Sequence, residues 1–142
     1  MTNTAAQPST TVVESATSMV SYLRALDLFA KAEAFLRDSK SVLEHCPGYS
    51  TLRSQLDLSV PFLQTAVDNR SVDCFRIQRT IELLRALHTV LFDESTRRNI
   101  HSFDVGVIEW ARLVLAIPGV IDALKAILHR PATAAAVTTT HR

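Results

Sequence analysis

The sequence predicts an all-α protein: a bundle of four to five helices with a long N-terminal helix and disordered termini. Three observations carry this reading. Apolar residues recur at steps of three and four over most of the chain, which is the repeat of one helical face. Only three glycines and five prolines occur among 142 residues. No Asn-Gly or Asp-Gly pair is present, so the tight turns that hairpins need are missing. Apolar side chains make up 47% of the chain, enough for a core without a metal or disulfide framework.

Residues 1–11 are small and polar, and residues 131–142 repeat that character with Ala134-Ala135-Ala136 and Thr138-Thr139-Thr140. Neither end has apolar periodicity, so both are expected to be flexible tails around one folded domain at 12–130. The first helix is expected from about Val12 to Cys46. Tyr22, Phe29, Leu36 and Leu43 recur every seven residues there, and Arg24, Asp27, Lys31 and Asp38 draw a polar stripe. A bend is expected near Asp38-Ser39, and Pro47-Gly48 ends the helix.

The second helix, about Thr51 to Asp68, places Leu52, Leu56, Val60, Leu63 and Val67 on one side. Pro61 inside it removes a backbone donor and predicts a kink. The third, Val72 to Phe92, has Ser71 as its expected N-cap with Asp73 supporting the first turn. Its two apolar rows, Ile77-Ile81-Leu84-Leu91 and Leu83-Leu87-Val90, make an arc too wide for one neighbour. That arc predicts the central position, with Arg76, Arg79, Glu82 and Arg85 filling the remaining face.

The polar run Asp93 to Asn99 reads as a loop or one short helical turn. A fourth helix follows, capped by Ser102 or Asp104 and reaching about Ile117. Pro118-Gly119 predicts an interruption, and a fifth helix runs to His129. The stretch Val105 to Leu128 has the length of a membrane span, yet it contains Glu109, Arg112, Asp122 and Lys125. Charges near a bilayer centre cost about 2.5–3.5 kcal/mol each. Two short, largely buried helices are expected instead, and no transmembrane segment.

Fifteen basic against fourteen acidic residues give a formal net charge of +1. Binding to nucleic acid or an anionic surface would call for a basic excess. Arg70, Arg76, Arg79, Arg85, Arg97 and Arg98 are interleaved with acidic residues, so RNA contact is expected only within a larger particle. Two cysteines, Cys46 and Cys74, are too few for a disulfide scaffold and are expected to be free thiols. An intracellular, reducing compartment follows, cytoplasmic by default with an organelle left open. The first residues carry no charged region followed by an apolar one, so no secretory signal is expected.

No arrangement of residues suggests catalysis. His45-Cys46 are neighbours on a helix and point about 100° apart, so a base does not face the thiol. The histidines at 45, 88, 101, 129 and 141 include no pair at helical ligand spacing, and there is no Cys-x-x-Cys. The glycines are isolated, which rules out a phosphate loop, and a Gly-x-Ser-x-Gly elbow is absent. No catalytic residue, cofactor or metal is expected. The candidate partner interface is Trp110 with Glu109, Arg112 and Leu113, because Trp and Arg dominate interface energetics and charged residues form the rim.

Two function classes remain. The first is a non-catalytic protein–protein interaction module, an adaptor or accessory subunit of a larger assembly, with a protein partner or a second copy as its target. The second is a helical carrier that takes a lipid or other apolar ligand into its core. An exposed apolar patch favours the first and a closed apolar cavity the second.

Overall fold

The computed structural model describes residues 16–129. Six helices lie among these described residues: α1 (Ala16–Asp38), α2 (Lys40–Leu43), α3 (Tyr49–Asp68), α4 (Cys74–Leu91), α5 (Glu94–Phe103) and α6 (Val107–Leu128). Among the described residues there is no strand. The expected tails at 1–11 and 131–142 lie outside the described residues.

The all-α bundle is as the sequence predicts. Four long helices form it: α3 and α6 each pack against both α1 and α4, and α2 with α5 closes one end. The core runs between them through Phe29 and Leu36 of α1, Leu56 and Leu63 of α3, Leu84 and Leu87 of α4, and Ile117 and Leu124 of α6. The central role expected for the third helix holds, since α4 contacts α1, α3, α5 and α6.

The two tyrosines of the chain fix how α1 meets α3. The Tyr22 hydroxyl on α1 donates to the Leu63 carbonyl on α3 at 2.7 Å. Tyr49 on α3 donates back to the Leu36 carbonyl on α1, also at 2.7 Å. The two bonds follow one antiparallel register, so a slip of either helix would break both. Leu36 lies among the last carbonyls of α1, which have no intrahelical partner, and Tyr49 satisfies one of them.

Several boundaries differ from the sequence reading. Helix α1 does not run on to Cys46 but stops at Asp38, because Ser39 leaves helical geometry at φ −102°, ψ 13°. The expected bend is a break, and its purpose is visible in packing: the turn lets α2 meet α5, where Asn99 donates to the Val42 carbonyl at 3.0 Å. The N-cap of α4 is Asp73, not Ser71; its carboxylate accepts from the Arg76 amide at 2.9 Å. Arg76 and Arg79 are both partly buried and tied down. Arg76 folds back onto Asp73 at 3.0 Å, and Arg79 reaches Ser59 on α3 at 3.0 Å.

The polar run after α4 is neither a loop nor a single turn but the start of the ten-residue α5. Asp93 caps it by accepting from the Ser95 amide, and Thr96 and Ile100 bury its inner side. The largest correction concerns the C-terminal segment. The expected fourth and fifth helices are one continuous helix of 22 residues, α6, with Pro118 inside it. Pro118 and Gly119 are exposed while Ile117 and Val120 are buried. Breaking the helix there would unpack two core residues to spare one hydrogen bond, so the helix runs on through the proline. No described helix is long and apolar enough to cross a membrane.

Candidate functional site

Helix α6 begins at a tight joint. Asp104 (φ 51°) closes α5 and Gly106 (φ 59°) opens α6, both in the left-handed region. Phe35 of α1 lies directly over Gly106: a Cβ there would come within 2.7 Å of the ring. Only glycine fits both the backbone angle and that approach. The joint sets how α6 lies along α1 and α4.

The four residues of the expected interface fall into different environments. Leu113 is 3% exposed and belongs to the core, so in this fold it is not available to a partner. Trp110 is half-buried, and its indole N–H donates to the Leu91 carbonyl at 2.7 Å, at the end of α4. The His101 ring meets it edge-on with centroids 5.4 Å apart. Trp110 thus ties α6 to the ends of α4 and α5, and its one polar atom is committed inside the molecule. Glu109 and Arg112 are exposed, and neither forms an ion pair among the described residues.

Leu113, Glu109 and Arg112 share a groove between α1 and α6. It encloses about 620 Å³ and is floored by Leu28, Ala34, Phe35, Leu113 and Ala116, with Lys31, Asp38, Glu109 and Arg112 along its edges. Beyond its α6 edge, the helix turns apolar side chains to solvent. Ile108 is 63% exposed and Leu115 is 79% exposed. These two lie seven residues apart, two turns along one face.

The sequence reading missed Ile108 and Leu115. Their signal was present: α6 carries apolar residues on more sides than one buried face uses. Periodicity alone could not decide whether Leu113 or Leu115 points inward, because both belong to apolar rows. A second apolar patch lies on α3 and α4. There Phe62 meets Phe75 edge-on at 6.2 Å and the Arg76 guanidinium covers the Phe62 ring at 4.6 Å. That cation stacking partly covers the patch, whereas Leu115 has no such cover.

Among the described residues two ionisable groups are perturbed, and both sit away from this surface. Burial pushes the Tyr22 hydroxyl up to about 12. Burial, with Asp57 adding to it, raises Glu33 above the ordinary carboxylate value. Among the described residues no group of three or more His, Cys, Asp or Glu side chains could hold a metal ion. Cys46 is buried and Cys74 half-buried, and the two are not bonded to each other. In comparisons with protein families, curated proteins and solved structures, nothing matches the chain.

Proposed function

We propose that this chain is a non-catalytic protein–protein interaction module, working as an adaptor or as a subunit of a larger assembly, and that α6 is its docking element. The observation that carries the reading is the outward apolar side of α6, where Ile108 and Leu115 stand 63% and 79% exposed. Single exposed apolar residues are ordinary on a protein surface, but a row of them beside an apolar groove marks an interaction site. Arg112 and Glu109 supply the charged rim that such sites carry. Trp110 supports this surface from beneath by holding α6 in place, and Leu113 does so from the core.

A photo-crosslinking side chain placed at position 115 of the full chain in cells tests the reading. Discrete crosslinked species should form from position 115 and not from position 78, where Gln78 is exposed on the polar side of α4. Equal crosslinking from both positions, or none from 115, would overturn it.

The carrier reading keeps one observation in its favour. The α1–α6 groove has the volume and apolar floor of a small-molecule site. It is open along its length, so a bound lipid would stay partly in water. Native mass spectrometry of the purified chain separates the two: retained lipid at stoichiometric level supports the carrier, and a bare chain opposes it.

A further inference from the structure

The inference rests on the reading of α6 as an interface and names its partner. We propose that the outer stripe of α6 pairs antiparallel with the same stripe of a second copy of this chain, about a two-fold axis at the level of Ile117. The exposed positions Ile108, Arg112, Leu115, Gly119, Asp122 and Ala126 step by four and three in alternation. That is the spacing of a coiled-coil seam, and it places all six in one line on the solvent side of the helix.

In an antiparallel seam each layer joins unlike positions of the two copies. An axis at Ile117 sets Leu115 against Gly119, Arg112 against Asp122 and Ile108 against Ala126, each twice by symmetry. All three pairs are complementary. The most exposed apolar side chain meets the one glycine of the seam, and nothing lies within 4 Å of a Cβ built there, so the leucine has room to enter. The branched Ile108 meets the small Ala126. The two charges that meet have opposite sign, and each lacks an ion-pair partner among the described residues.

The same residues exclude the alternatives. A parallel pair would set Arg112 on Arg112 and Asp122 on Asp122, two like-charge layers in one short seam. Sliding the antiparallel copies by one heptad sets Arg112 against Leu115 or against His129 and separates it from Asp122. Only one orientation and register joins both charges and fits both large side chains over small ones. Orientation and register are what seam charges specify in paired helices.

Sedimentation equilibrium of the full chain over a range of concentrations tests this. The chain should form a dimer, and Arg112→Asp or Asp122→Arg alone should raise the dimer dissociation constant by at least about tenfold through like-charge contact. The double variant Arg112→Asp/Asp122→Arg restores opposite charges and should return the constant to within about threefold of the original. Both residues are exposed, so thermal unfolding followed by circular dichroism should confirm that each variant folds. A chain that stays monomeric throughout, or a double variant no better than the single ones, overturns the proposal. The two readings fail separately. A monomeric chain that still crosslinks from position 115 to other polypeptides keeps α6 as an interface and removes the second copy as its partner. Absence of any crosslink from 115 removes both.

Discussion

The hydroxyl of Tyr22 shows how one atom can couple fold and pH. It is fully buried and donates to the Leu63 carbonyl on α3, and burial raises its pKa to about 12, from about 10 in an unfolded chain. The neutral form is thus favoured by the fold. Its contribution is complete below about pH 10 and is lost as pH rises toward about 12. Tyr22→Phe should cost about 1 kcal/mol at neutral pH. It should also lessen the fall in stability between about pH 10 and 12, measurable by urea unfolding at each pH. Gly106 makes a steric rather than an electrostatic demand. Gly106→Ala places a Cβ against Phe35 at a positive φ and should destabilise by about 1–3 kcal/mol. No change on that substitution would show that the joint between α5 and α6 is looser than described.

At the scale of elements, the central place of α4 was legible in the sequence because its apolar arc is too wide for one neighbour, although its cap lies at Asp73 rather than Ser71. Leu84→Ala and Leu87→Ala should each cost about 2–5 kcal/mol, while Gln78→Ala on the exposed side should stay within about 0.5 kcal/mol. Three equal, small losses in denaturant titration would contradict the placement of α4. The end of α1 was less legible, since Lys40-Ser41-Val42-Leu43 continues the same spacing past the break at Ser39. Helix α5 was hidden for the opposite reason: its first residues are polar, and its order comes from the Asp93 cap and from its own Ile100, buried in the core. Helix α6 was misread at Pro118 because a proline is a local signal, while the continuity of α6 is enforced by core contacts on either side. Pro118→Ala restores one backbone donor to a helix that is already continuous. It should stabilise by about 1–2 kcal/mol with no gain in helical ellipticity. A clear gain in ellipticity would mean that the helix is broken there after all.

For the molecule as a whole, the helical class was readable from periodicity and the shortage of turn residues. The proposed interface was readable only as a region. The sequence pointed to Trp110, Glu109, Arg112 and Leu113 because an apolar helix with a tryptophan suggests an anchor. Folding commits the Trp110 indole to Leu91 and the Leu113 side chain to the core, and it leaves Ile108 and Leu115 outside. Which apolar row faces inward depends on where α1 and α4 lie, and that is set by contacts far apart in sequence, such as Phe35 on Gly106. The central claim is this division of α6 into a structural face and a docking face. Urea unfolding of Leu113→Asp and Leu115→Asp in dilute solution tests it most directly. A charge at position 113 should abolish the cooperative transition, because it buries an unpaired carboxylate. A charge at position 115 should leave the transition within about 0.5 kcal/mol of the original chain. Comparable loss of stability in both variants would place Leu115 in the core and contradict the account.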